Sequence, residues 1–241
     1  VALDPIEKKP LKMFYPGSMI LSLGSYGCNL RCPFCQNSSI SWSKEALEYR
    51  DRADYYESEE IVKSAQELRP RGNIGLAFTY NEPLIGYEFV RDTAKLSKEA
   101  GMKNVLVTNG TATEKVLKEI LPFIDAMNID LKAFTDSFYH DFIVGDFKMV
   151  KDFITRAAES CHVELTTLII PGENDREDEM RELSLWVAAL EKKFDKKIPL
   201  HITRFFPAFR LTNKEPTPVN TILHLVEVAK ENLEFVFPGN V

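Results

Sequence analysis

The chain has 241 residues, 44% of them hydrophobic and 27% charged, the balance of an ordinary folded protein long enough for a sizeable core. Its net charge of −6 comes with Lys and Arg scattered among the acids, so no basic stripe for nucleic acid or an anionic membrane surface is present. No apolar run reaches the roughly 20 residues of a membrane span, and four cysteines, three of them in one tight group, do not make a disulfide framework.

A reducing cytosol is the expected location, since no signal peptide opens the chain. The chain starts at Val1, in a row that reads as mid-sequence, so residues 1–241 are expected to be one domain trimmed at one or both ends of a longer protein. Apolar β-rich runs alternate with helical patterns along it, the signature of βα units around a parallel sheet.

The first strand is predicted over residues 19–25 and is followed by Cys28-Asn29-Leu30-Arg31-Cys32-Pro33-Phe34-Cys35. Three thiolates on one short loop can hold three irons of a cubane [4Fe–4S] cluster and leave the fourth iron open for chemistry. A zinc site would need a fourth Cys or His ligand, for which only the distant Cys161 or His162 offers itself. Residues 37–56, with Trp42 and several charges, read as a long functional loop. Ser58 is predicted to cap a helix with Ile61, Ala65 and Leu68 on its buried face.

The second strand, residues 74–79, ends in Thr79-Tyr80-Asn81-Glu82-Pro83, which places a carboxylate at a strand terminus. Ile85, Phe89, Leu96 and Ala100 form the expected stripe of the next helix, stopped by Gly101. The third strand, 104–108, ends in Thr108-Asn109-Gly110, and the fourth, 126–131, in Asn128-Ile129-Asp130-Leu131-Lys132. Asp130 and Lys132 alternate with apolar residues and so share one face, where a charged pair turned inward has no cheap structural explanation.

The fifth strand, 163–170, is followed by the turn Pro171-Gly172-Glu173-Asn174-Asp175 and a helix carrying Met180, Leu183, Val187, Leu190 and Phe194. The sixth, 200–205, offers His201, Thr203 and Arg204, of which the histidine is expected in the core. Thr217-Pro218 reads as an N-cap with Pro at the first helical position, ahead of Ile222, Leu225 and Ala229. A short last strand is predicted at 235–237. Six such units are too few to close an eight-stranded barrel, so the fold class is α/β, a partial (β/α)6 TIM barrel. Ligands of parallel α/β folds collect at the C-terminal strand ends, where these polar residues fall. Cys161 is most simply a buried thiol.

The cysteine loop, down to Phe34 before its last cysteine, resembles that of the radical S-adenosylmethionine (SAM) enzymes. The rows Leu3-Asp4-Pro5-Ile6-Glu7-Lys8-Lys9-Pro10-Leu11, Phe34-Cys35-Gln36-Asn37, Thr79 to Pro83, Asn128 to Lys132 and Gly239-Asn240-Val241 together look like the AmmeMemoRadiSam group, which is similar to pyruvate formate-lyase activating enzymes. The resemblance implies a [4Fe–4S] cluster on Cys28, Cys32 and Cys35. It also implies a SAM pocket that draws on Phe34, Tyr80, Asn81, Glu82, Thr108, Asn109, Asp130 and Lys132, and an electron from a reductase such as flavodoxin or ferredoxin. Many relatives carry Gly-Gly-Glu-Pro where this chain has Tyr80-Asn81-Glu82-Pro83.

The implied activity is cleavage of SAM to a 5′-deoxyadenosyl radical that abstracts hydrogen. The implied acceptor is a protein, as in glycyl-radical activation, and the alternatives are a small molecule or another macromolecule. A zinc-binding interaction domain is the reading from a different class. A protein acceptor is expected to approach through the open side of the barrel, past residues 37–56, with Trp42, Phe205 and Phe206 as anchors.

Overall fold

The computed structural model describes residues 1–42 and 54–241. Eight strands form one sheet in chain order: β1 (Ala2–Pro5), β2 (Met19–Leu23), β3 (Asn73–Phe78), β4 (Lys103–Thr108), β5 (Ala126–Asp130), β6 (His162–Ile169), β7 (Leu200–Arg204) and β8 (Val236–Gly239). β1 runs antiparallel to β2, and every later neighbour pair is parallel. No pairing joins β1 to β8 among the described residues, so the sheet curls without closing.

Helices connect the parallel strands: α1 (Ser38–Ser41) and α2 (Ser58–Glu67) before β3, α3 (Tyr87–Glu99), α4 (Glu114–Ile120), α5 (Phe147–Ser160), α6 (Glu177–Phe194) and α7 (Val219–Lys230). This is the expected partial (β/α)6 barrel with its short last strand. The added strand β1 is too short and too polar at Asp4 to stand out in the sequence. Among the described residues no helix is long and apolar enough to cross a membrane.

Local chemistry sets the element ends. Glu57 and Glu60 make a capping box at the start of α2, so the cap lies one residue before the predicted Ser58. Asp146 caps α5 by accepting from the Met149 N–H at 2.9 Å. Gly101 takes φ +69° just past α3, as its sequence position predicts. The predicted stripe of α3 is corrected at two of its four positions, while Leu96 and Ala100 do pack against the core. Ile85 and Phe89 are exposed, and the buried face is Val90, Thr93, Ala94 and Ser97. Thr93 holds Ser58 at 2.7 Å, so a polar residue there serves helix packing. The α6 and α7 stripes are buried as expected, but Pro218 holds the α7 cap position, and the wholly buried Thr217 bonds the Ile169 carbonyl at 2.6 Å instead.

Strand alternation divides the apolar residues into two layers. Leu21, Leu76, Leu106, Met127 and Leu165 face the helices in the main core. Ile20, Ala77, Val105 and Ala126 face inward and pack with Ile6 and Leu11 of the N-terminal segment, which thereby forms a floor across the barrel. That floor is tied down by polar bonds. Asn128 Nδ2 donates to the Pro10 carbonyl at 2.9 Å, and the Lys12 and Met13 N–H groups donate to Glu164 at 2.9 and 2.8 Å. The same carboxylate accepts from His162 at 2.9 Å and His201 at 2.6 Å. The core position expected for His201 is therefore correct, and its partner is a buried acid two strand positions above a second histidine.

Candidate active site

Above the floor the C-terminal strand ends surround a cavity of about 360 Å³, within the range of small-molecule sites. Its wall contains Cys28, Cys32 and Cys35 together with Phe34, Tyr80, Asn81, Glu82, Thr108, Asn109, Asp130 and Lys132. Residues from four separate stretches of sequence are thus brought to one place.

The cysteine loop leaves β2 and is fixed at several points. The Arg31 N–H donates to the Ile143 carbonyl at 2.9 Å, and the Pro33 carbonyl accepts from the Arg210 N–H at 2.9 Å. Phe34 is buried and stacks on Phe142 at 5.9 Å between ring centroids, so it anchors the loop to the core. Gly145 leaves room for Leu30, since a Cβ there would lie 2.8 Å from Leu30 Cδ2. Asn109 Nδ2 reaches both Asn29 Oδ1 at 2.9 Å and Cys28 Sγ at 3.6 Å, joining the loop to the end of β4.

All three thiols are free and partly exposed, whereas Cys161 is buried at the start of β6, the end of the barrel away from the cavity. Burial pushes the Cys28 thiol up, and the Cys32 thiol up to about 12 despite the nearby Lys132 ammonium. A metal bound here must displace their protons. Among the described residues no three His, Cys, Asp or Glu side chains gather at one point to hold a single ion. In a four-iron cube each thiolate takes a different iron, whereas zinc draws its ligands to one centre. Three thiols on one cavity wall are the donor set such a cube takes.

Glu82 is only 2% exposed and bridges two strand ends. Its Oε1 accepts from the Leu84 N–H at 3.0 Å and the Thr108 hydroxyl at 2.8 Å, and its Oε2 from the Asn109 N–H at 2.7 Å. Burial nevertheless lifts its pKa to about 7. A carboxylate with about four acceptor positions has room for little more than one further donor. Asn81 turns back to the cysteine loop, donating to Ser25 Oγ at 2.9 Å and the Gly27 carbonyl at 3.0 Å. Tyr80 takes φ +76°, so the turn keeps a left-handed backbone of the kind glycine favours, with a bulky residue in place.

Asp130 and Lys132 do share a face and form a pair at 2.9 Å. Burial would lower the Lys132 pKa, but the charge and hydrogen bond of Asp130 together with the nearby Cys32 and Tyr139 outweigh it, and the ammonium is held above its usual range. The Lys132 backbone is fixed by the Tyr139 hydroxyl, which accepts its N–H at 3.0 Å, and by Asn174 Nδ2, which donates to its carbonyl at 2.7 Å. Asn174 therefore clamps the cavity wall from outside, and the 171–175 turn contributes no lining residue.

Several wall residues escaped the sequence reading: Lys8, Lys9, Thr166 and Asn240 among them. Nothing in the spacing of Lys8 and Lys9 marks a site, and only β1 with its buried Asp4 draws the Lys9 side chain inward. Of the β7 trio, Thr203 lines the cavity while Arg204 bonds the Thr217 carbonyl at 2.6 Å. Phe205, expected as a surface anchor, is 1% exposed and belongs to the main core. Phe206 is exposed beside Arg204. Trp42 is half-buried, with Phe209 at 4.9 Å and the Arg210 guanidinium at 4.3 Å from its ring. Most of the 37–56 loop lies outside the described residues.

A three-cysteine loop and a carboxylate–ammonium pair facing one cavity suit an enzyme that works through a bound cluster and a small charged cofactor. The sequence profile of the Radical SAM superfamily matches residues 23–184, and the chain belongs to that superfamily of enzymes. It is similar, at 39% identity over 252 residues, to an uncharacterized protein of Methanocaldococcus jannaschii, covering 100% of this chain and 69% of that one. It is 29% identical over 166 residues to the pyruvate formate-lyase-activating enzyme of Clostridium pasteurianum, covering 66% of this chain and 65% of the relative. Among solved structures, Streptococcus suis SuiB bound to precursor peptide SuiA shares the fold, with a TM-score of 0.67 at 11% identity over 98% of this chain and 51% of SuiB.

Proposed function

We propose that the chain holds one [4Fe–4S] cluster on Cys28, Cys32 and Cys35 and binds SAM across the ends of β3, β4 and β5. When bound and reduced by one electron, the pair supplies cleavage of the sulfonium C5′–S bond to methionine and a 5′-deoxyadenosyl radical, which takes a hydrogen atom from the acceptor. This reading is carried by the meeting of the three thiols with Asp130 and Lys132 on one cavity wall.

The protein's own part is to bind and aim. Lys132 suits the methionyl carboxylate and Asp130 the ammonium, while Thr108 and Asn109 offer short polar groups to the ribose. Tyr80, Asn81 and Glu82 shape the turn between the cysteine loop and β4. Phe34 keeps the loop seated, and the buried floor keeps water from below. The acceptor is proposed to be a protein or peptide, the class on which an activating enzyme acts and the kind of molecule SuiB holds. The electron would come from a flavodoxin- or ferredoxin-type reductase.

Anaerobic incubation of the reconstituted protein with SAM and dithionite is expected to yield 5′-deoxyadenosine. A fully loaded cluster that produces none would overturn the reading. Asp130→Ala and Lys132→Ala should each weaken SAM binding at least tenfold, about 1.4 kcal/mol, with the cluster intact. Wild-type SAM affinity in both variants would remove these residues from the pocket.

A further inference from the structure

Tyr80 holds a left-handed backbone conformation, φ +76°, that is strained for a bulky residue, and such strain persists where the surroundings impose it. The chain also clears space for its ring, because a Cβ on Gly24 would stand 2.9 Å from Tyr80 Cδ2. What the ring reaches is a buried ion pair. The Tyr80 hydroxyl donates to Asp4 Oδ2 at 2.6 Å and accepts from Lys9 Nζ at 3.4 Å. Lys9 Nζ stands 2.9 Å from Asp4 Oδ2 and 4.5 Å from the Tyr80 ring centroid.

Lys9 is 1% exposed, yet it lines the cavity together with Lys8 and Tyr80. Burying an ion pair of this kind is expensive, and an apolar replacement of similar volume is often as stable or more so. The local charge is also unbalanced. Lys8 places a second ammonium 3.2 Å from Asp4 Oδ1, so two cations face one carboxylate. Elsewhere on the wall Asp130 and Lys132 offset each other, and Glu82 already accepts three donors. Among the described residues Lys9 donates to Asp4 and Tyr80, two uses for its three N–H groups.

We propose that Lys9 is an anchoring cation for a carboxylate group of the acceptor, with Asp4 and Tyr80 as positioning residues. Asp4 pairs in register with Ile20 of the floor, so the ammonium lies below the strand-end residues assigned to SAM and meets what enters beneath the cofactor. A carboxylate matches one rigid N–H donor. A phosphate dianion would need more donors and, with twice the charge, would meet stronger repulsion from Asp4 than a carboxylate does. The proposal rests on the radical-enzyme reading for its place in the reaction, but its test reads binding separately from that chemistry.

The cluster-loaded protein, with and without SAM, is titrated with acetate and pyruvate and with acetamide and pyruvamide, binding being followed by ligand-observed NMR. The carboxylates are expected to bind at least tenfold more tightly than the amides. Lys9→Met should remove that preference, Lys9→Arg should keep part of it, and Tyr80→Phe should weaken carboxylate binding several-fold. SAM affinity, measured by equilibrium dialysis, should stay at its wild-type value in Lys9→Met. Equal binding of acids and amides overturns the proposal. So does unchanged acid binding in Lys9→Met, or a parallel loss of SAM affinity, which would assign the ammonium to the cofactor. If Lys9→Met does not fold, Tyr80→Phe decides, and unchanged acid binding in it is fatal. Failure of the radical reading would appear differently, as a wild-type protein that prefers carboxylates but binds no SAM.

Discussion

Cys28→Ala, Cys32→Ala and Cys35→Ala are each expected to abolish the four-iron cluster, while Cys161→Ala retains it, as counted by iron and sulfide after anaerobic reconstitution. With one thiolate gone, the loop keeps two ligands for four irons. No replacement thiol is at hand, since the remaining cysteine, Cys161, is buried at the far end of β6. The loop itself should survive the change. Phe34 stacked on Phe142, the Arg31 and Pro33 backbone bonds and the buried Leu30 hold it mainly through groups other than the thiols, of which Cys28 Sγ accepts only the long contacts from the Leu30 N–H at 3.4 Å and Asn109 Nδ2 at 3.6 Å. Loss of iron with an unchanged circular dichroism spectrum therefore separates a ligand from a structural cysteine. A cluster that requires Cys161, or stoichiometric zinc in place of iron, would sink the assignment and return the chain to the zinc-domain alternative.

The barrel was legible because period-2 runs bounded by turns report strands, and part of its cavity because charges at strand ends are too costly to bury without purpose, whereas Phe34, Tyr80, Asn81, Thr108 and Asn109 were marked only by the family resemblance. Asp130 and Lys132 are the best instance, two charges separated by one apolar residue at a strand terminus. Glu82 was placed correctly at a strand end, but its bonds to Thr108, Asn109 and Leu84 follow from the distance between two strand termini, which no spacing encodes. Lys9 was hidden for a similar reason. Beside Lys8 and Pro10 it looks like part of a solvated run. Its burial depends on β1 folding back on β2 and on the partner Tyr80, 71 residues later in the chain. The α3 stripe held at Leu96 and Ala100 but not at Ile85 and Phe89, because a helix covering strands can bury Thr93 and Ser97 against close neighbours while leaving those two in water.

Glu164→Ala should destabilise the protein by about 3–5 kcal/mol, the loss typical of removing one side of a buried charged network, read by chemical denaturation. The Glu164 carboxylate is fully buried and accepts four hydrogen bonds, from His162, His201 and the Lys12 and Met13 N–H groups. Burial alone would raise its pKa, but these donors outweigh that and hold it at about 2, below the ordinary 4.5. A depressed carboxylate stabilises the fold fully above about pH 4.5, and that contribution is lost as pH falls toward about 2. The wild type should therefore lose stability through this window, and Glu164→Gln, which has nothing to titrate there, should show a flatter curve. A variant within about 1 kcal/mol of wild type, or one with the same acid slope, would show that the floor is held by its apolar contacts alone. If the network does hold it, the effect should reach the cavity. Residues 12 and 13 are separated from Lys9 by Pro10 and Leu11 alone, so releasing them frees the segment that holds the Lys9 ammonium against Tyr80. Weaker carboxylate binding in Glu164→Gln, at a temperature where the variant is still folded, is the expected sign that the barrel floor and the acceptor site are one structure.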